Sequence, residues 1–78
     1  MGTGTAAETA ILGVLAPGGL LTSSQITAQA QLTTWSARRA IRHLSMRGLI
    51  IAAPRQPRWS ITPRGLAVWA TKGRRYAG

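Results

Sequence analysis

Residues 32–50 read LTTWSARRAIRHLSMRGLI, and the pattern of this stretch predicts one helix with two different faces. Ala37, Ile41 and Leu44 recur at i, i+4 and i+7, which is the spacing of a buried helical stripe. Thr33 or Thr34 can cap the first turn through its hydroxyl, and a glycine at position 48 suits the left-handed residue that follows a helix end. We therefore predict a helix over residues 33–47 whose apolar stripe lies in the core.

The second face of this predicted helix is aromatic and cationic. Its members share one side at i, i+3, i+4 and i+7, and they are Trp35, Arg38, Arg39 and Arg42. No acidic residue interrupts them, although an ordinary solvated helix mixes charges of both signs. A face of this kind suits a polyanion with readable edges, and the major groove of DNA is such a surface.

The charge of the whole chain is strongly asymmetric. Ten Lys and Arg against one acidic residue give a formal net charge of +9 over 78 residues. Residues 1–37 hold only Glu8, whereas every basic residue lies between Arg38 and Arg75. Such clustering favours phosphate binding, because each cation at a phosphate displaces condensed counterions.

The same composition argues against an enzyme. With one carboxylate, one histidine and no cysteine, neither a paired-carboxylate site nor a nucleophile with an oriented base can be assembled, and neither a thiolate nor a His-based metal site can form, so we expect no catalytic residue, no metal and no cofactor. The apolar run at residues 10–16 is far shorter than the roughly 20 residues of a membrane span. We expect a cytoplasmic, nucleoid-associated protein without a membrane partner.

Local signals divide the first third of the chain into two further helices. Residues 5–8 match a capping box in which Glu8 reaches back to the cap, which predicts a helix over 6–16 ended by Pro17-Gly18-Gly19. Leu20 and Leu21 are then expected in the core. A second capping box at residues 22–25 predicts a short helix to about residue 30, anchored by Ile26.

After Gly48 the hydrophobic period changes from 3.6 to 2, which predicts a β-hairpin over residues 49–61. Its tip carries Arg55 and is flanked by Arg58. Thr62-Pro63 then predicts the start of a last helix over residues 63–71, with Leu66 and Trp69 facing inward. Trp59 is expected to pack with this helix, and His43 is expected to be a partly buried spacer beside Leu44.

The order of these elements indicates a mainly α fold with a small β-hairpin (α+β), a winged helix-turn-helix. We divide the chain into a disordered tail at residues 1–5, one domain at residues 6–71 and a basic tail at residues 72–78. Two motifs then resemble the MarR-type and related winged-helix transcription regulators. That family has a Leu, three residues and Gly-Leu-Val, followed by a wing strand ending in Leu-Thr-x-x-Gly; residues 44–50 and 61–65 read LSMRGLI and ITPRG.

The resemblance implies a sequence-specific double-stranded DNA-binding protein, a small transcription regulator. Helix 33–47 would enter the major groove, and wing 49–61 would reach the flanking backbone or minor groove. Carried over by position, the DNA-binding residues are Thr33, Thr34, Trp35, Ser36, Arg38, Arg39 and Arg42 in the helix, with Arg55 and Arg58 on the wing. The charge of the basic tail adds Arg74 and Arg75 as phosphate contacts. The resemblance implies neither a small-molecule site nor a particular dimer interface.

Two alternatives and one question of assembly stay open. The same surface would serve an excision or replication accessory factor on DNA. It would also serve a protein-interaction winged helix that binds an acidic partner, such as a polymerase, through Trp35 and the arginine face, because Trp and Arg are favoured at interface hot spots. A homodimer is expected if one recognition helix alone binds too weakly.

Overall fold

The computed structural model describes the backbone of residues 3–77 and the side chains of residues 6–71. Within residues 3–77, four helices and three strands follow one another. They are α1 (Thr3–Leu15), β1 (Leu21–Thr22), α2 (Ser23–Gln29), α3 (Thr34–Met46), β2 (Ile50–Ala52), β3 (Arg58–Ile61) and α4 (Pro63–Ala77). This α+β arrangement confirms the predicted fold class.

The three strands form one antiparallel sheet in the order β1-β3-β2. Ile50 lies opposite Ile61 and Ala52 opposite Trp59, so β2 and β3 form the predicted hairpin, which we call the wing. On the other side of β3, Leu21 lies opposite Trp59. The sequence did not predict β1, because two residues are too few to show an alternating pattern.

The core lies between α1, α3 and the base of the wing. Ile11, Leu12 and Leu15 of α1 are fully buried with Ile26 of α2 and Leu44 of α3. Trp59, Trp69 and Val68 pack partly buried against this cluster, as expected for the two tryptophans. Two predicted core residues are instead exposed, Leu20 at 40% and Leu66 at 42%. Leu20 directly follows the Gly18-Gly19 turn, and α4 turns Val68 rather than Leu66 towards the core together with Trp69.

Local hydrogen bonds at the helix starts follow the sequence prediction. The hydroxyl of Thr22 accepts from the amide of Gln25 while the Gln25 side chain accepts from the Thr22 amide, which completes a capping box on α2. The Thr33 hydroxyl accepts from the amide of Ser36 and caps α3. Gly48 has a φ of 73°, the left-handed conformation that ends α3.

The predicted capping box at residues 5–8 is wrong. Helix α1 already begins at Thr3, so Thr5 lies inside the helix. The Glu8 carboxylate instead contacts Arg47 and His43 of the α3 end. Packing of α1 on α3 buries this carboxylate, and a guanidinium is a stronger partner for it there than a local backbone amide.

The outer bounds of the first and last helices also differ from the prediction. Thr3–Thr5 belong to α1, while Met1 and Gly2 of the expected disordered tail lie outside the described residues. Helix α4 continues to Ala77, six residues beyond the predicted end, because residues 72–77 contain one glycine among residues that all tolerate a helix. Within residues 3–77, no helix is long and apolar enough to cross a bilayer.

One junction fixes the wing to both α3 and α4. The Thr62 hydroxyl lies 2.8 Å from the carbonyl oxygen of Gly48 and 3.0 Å from that of Leu49, and it donates to this pair. The same oxygen accepts from the amide of Gly65 at 3.0 Å, as the predicted cap of α4. A Cβ on Gly65 would collide with the carbonyl oxygen of Leu49, so only glycine allows this close approach.

Candidate nucleic-acid interface

The outward face of α3 carries the residues predicted to contact DNA. Ala37, Ala40, Ile41 and Leu44 of this helix are buried, which turns the remaining side chains away from the core. An open surface on this face, which we call the α3 face, is lined by Trp35, Arg38, Arg39, Arg42, His43 and Met46. The structure therefore brings together one indole and three guanidinium groups of the predicted site.

Trp35 and Arg39 are in direct contact on this surface. The Cζ atom of Arg39 lies 5.4 Å above the ring centroid of Trp35, within the range of a cation–π interaction. The Trp35 side chain is nevertheless 68% exposed. The ring therefore does not pack back on α2.

Among the described residues, no carboxylate pairs with the three arginines of the α3 face. Glu8 is the only acidic side chain in the chain, and its carboxylate oxygens lie 2.9 Å from Arg47 Nη1 and 3.6 Å from His43 Nδ1. His43 is exposed, so the prediction of a partly buried spacer is wrong; its contact with Glu8 holds it at the helix surface. Arg38, Arg39 and Arg42 thus present a compact positive charge to solvent.

A second groove lies beside the start of α3 and was not predicted. It is lined by Ser23, Ser24, Thr27 and Ala28 of α2 together with Thr34 and Arg38 of α3. Hydroxyl groups beside a guanidinium are suitable donors for phosphate oxygens. The sequence signal that could have indicated this groove is the capping box at residues 22–25, because it places two serines in the exposed first turn of α2.

Some members of the predicted set differ in exposure. Thr33 and Thr34 are exposed, whereas Ser36 is only partly so, and the Thr33 hydroxyl already accepts from the Ser36 amide. The Thr33 oxygen therefore acts primarily as the N-cap of α3.

The wing carries two exposed arginines, one in its turn and one at the start of β3. Arg55 lies in the turn between β2 and β3, as predicted for the tip. Arg58 is the first residue of β3 and lies opposite Thr22, the cap of α2. Arg64, in the first turn of α4, is a further exposed arginine that the sequence did not single out. The side chains of Arg74 and Arg75 lie outside the described residues.

Comparison with known proteins gives structural matches and no sequence match. No family model and no curated protein matches the chain. A MarR family transcriptional regulator from Silicibacter pomeroyi DSS-3 superposes with a TM-score of 0.76 at 16% identity, over 85% of this chain and 49% of that one. A mutant of ZitR from Lactococcus lactis gives a TM-score of 0.73 at 20% identity, over 91% and 51%.

Another MarR family transcription regulator matches with a TM-score of 0.70 at 23% identity, over 91% of this chain and 52% of that one. The chain thus spans about half the length of each of these proteins. The fold of this chain is therefore the winged helix found in MarR family transcription regulators.

Proposed function

We propose that this chain is a double-stranded DNA-binding module of a transcription regulator. The observation that carries the proposal is the α3 face, where Arg38, Arg39 and Arg42 share one surface with an exposed tryptophan and the only acidic side chain, Glu8, is paired elsewhere. Helices of this length and polarity fit the major groove. The structural matches to transcription regulators support the same function.

Within this proposal, the position of each residue decides whether it contacts base edges or the phosphate backbone. Thr34, Trp35, Arg39 and Arg42 would meet base edges, because they lie on the outward side of α3. Arg38 would bind a phosphate together with the hydroxyl groups of α2, since it lines the groove between the two helices. Arg55 and Arg58 of the wing, and Arg74 and Arg75 of α4, would add backbone contacts that carry no sequence information.

The direct test is the salt dependence of binding to a labelled duplex, followed by fluorescence anisotropy. About six phosphate contacts imply a slope of about −5 for log K against log salt concentration. A variant with Arg38, Arg39 and Arg42 all changed to Gln should lose most of the affinity. Arg47→Gln at the C-cap of α3 is a control, because Glu8 already compensates its charge; it should change the affinity little, although it also weakens the contact between α1 and α3. A slope near zero would refute the proposal.

Selection from a randomised duplex pool tests how the module is arranged on DNA. One α3 helix covers only a short segment of major groove, so we propose a homodimer that uses two half-sites. An enriched inverted repeat supports this arrangement. A repeated direct motif favours an accessory factor for excision or replication that binds in arrays.

A second candidate function is binding to an acidic protein partner. The exposure of Trp35 beside arginines favours it, because both residue types are enriched at interface hot spots. In that case duplex DNA is not retained at moderate salt, and Trp35→Ala abolishes binding to the protein partner instead.

A further inference from the structure

The Trp35–Arg39 pair has a geometry that suits a specific ligand. The two residues lie one turn apart on α3, and the Arg39 guanidinium lies over the indole at 5.4 Å. Contact with the ring limits the conformations of the arginine before any ligand binds, which reduces the entropy lost on binding. The guanidinium still has N–H donors to offer, because no carboxylate accepts from it.

The indole adds a second, apolar element to the same spot. Its ring is 68% exposed even though one guanidinium covers part of it, so a flat hydrocarbon surface stays open beside the donors. A purely electrostatic phosphate contact would make no use of that surface. A ligand that matches both groups must present an apolar group directly beside paired hydrogen-bond acceptors.

In the major groove, this combination is offered where a thymine adjoins a guanine. Guanine presents the acceptors N7 and O6, which an arginine binds in bidentate fashion, and thymine alone presents a methyl group. Residues one helical turn apart are separated by about 6 Å along the helix axis, within reach of neighbouring base pairs. We propose that Trp35 and Arg39 together recognise a thymine adjacent to a guanine on the same strand, with the methyl against the indole and the guanine edge on the guanidinium.

This inference rests on the proposed function and makes it more specific. It assigns sequence discrimination chiefly to this pair, whereas Arg38 serves the phosphate groove that it lines with α2. Arg42 lies on the same face, and this proposal gives it no contact with the indole. It therefore provides a matched control within the α3 face.

The experiment starts from the duplex that the wild-type protein selects from the random pool. Each thymine is replaced singly by deoxyuridine, which removes only the methyl group, and each guanine by 7-deazaguanine, which removes N7. One deoxyuridine should weaken wild-type binding about fourfold, from the loss of one buried methyl. The adjacent 7-deazaguanine should weaken it about tenfold, because it removes one of the two hydrogen bonds of the bidentate contact.

The variants then assign each effect to a side chain. Trp35→Ala should abolish the deoxyuridine effect, and Trp35→Phe should retain part of it. Arg39→Ala should abolish the 7-deazaguanine effect, while Arg42→Ala should keep both effects at lower overall affinity. Salt-dependent DNA binding without an enriched thymine–guanine step, or with analogue effects that Trp35→Ala leaves unchanged, would overturn this inference alone. Failure to retain any duplex would instead refute the proposed function.

Discussion

Arg47 donates a hydrogen bond from Nη1 to Oε1 of Glu8 at 2.9 Å, which joins the C-cap residue of α3 to the middle of α1. Glu8 is 7% exposed and is the only acidic residue in the chain. The pair therefore uses the whole side-chain negative charge of the protein to hold the two packed helices together. The α3 face keeps its positive charge as a result.

Replacing Glu8 with Gln should destabilise the fold. A hydrogen bond between charged partners contributes about 1.5 to 3 kcal/mol, but the Arg47 side chain is half exposed and solvent screens it. We therefore expect the free energy of unfolding in urea to fall by about 1 kcal/mol. Arg64→Gln, which changes an exposed arginine of α4, should leave it nearly unchanged. Equal stability of Glu8→Gln and the wild type would show that the pair contributes nothing.

The capping box of α2 gives a second stability prediction. Thr22→Ala removes the acceptor for the Gln25 amide and should cost about 1 kcal/mol of unfolding free energy. Thr22→Ser keeps the hydroxyl and is the control, with a much smaller loss. Thermal unfolding followed by circular dichroism measures both. A loss as large in the serine variant would mean that the β1 strand, rather than the cap, requires threonine.

Gly65→Ala should be the most damaging small substitution at the wing junction. The added methyl group would collide with the backbone carbonyl of Leu49, which cannot move without separating α4 from the wing. We expect a loss of about 2 to 3 kcal/mol in urea unfolding. In the control Gly13→Ala the new Cβ would lie 3.1 Å from Nε1 of the Trp69 side chain, a tight contact with a side chain and not with the backbone, so the loss should be smaller. Tolerance of Gly65→Ala would show that the junction is not tightly packed.

The wing arginines should contribute to affinity without contributing to specificity. Arg55→Ala and Arg58→Ala should each weaken binding to every duplex by a similar factor and reduce the salt slope by about 1. Arg39→Ala should weaken the selected duplex far more than an unrelated one. Anisotropy titrations on both duplexes at several salt concentrations measure this difference. Loss of discrimination in the wing variants would place base reading on the wing instead.

The sequence predicted best where its signals are local. The apolar period and the Thr33 cap belong to α3 itself, so its bounds were placed within one residue at each end. The same holds for the capping box at Thr22 and for the cap of α4 at Thr62. For the site, the period of α3 also placed its three arginines and Trp35 on one exposed face.

The errors concern residues whose environment depends on distant parts of the chain. Glu8 fits a local capping box, but its partners lie 39 and 35 positions later, and only the packing of α1 on α3 brings them close. Strand β1 exists because β3 is present to pair with it. The groove between α2 and α3 could not be predicted for the same reason, since it requires the crossing geometry of the two helices.

The junction at Thr62 determines how the protein meets a curved surface. One hydroxyl contacts the carbonyl oxygens of Gly48 and Leu49, which connect α3 to the wing, and the start of α4. A change in the angle between α3 and the wing would break the two hydrogen bonds to these carbonyls together, so we expect bending to be confined to the loop at residues 53–57. The separation between the two contacting elements is then fixed before binding. A duplex whose groove width does not match it has to deform, and the stiffness of that duplex enters the affinity at positions that the protein never touches.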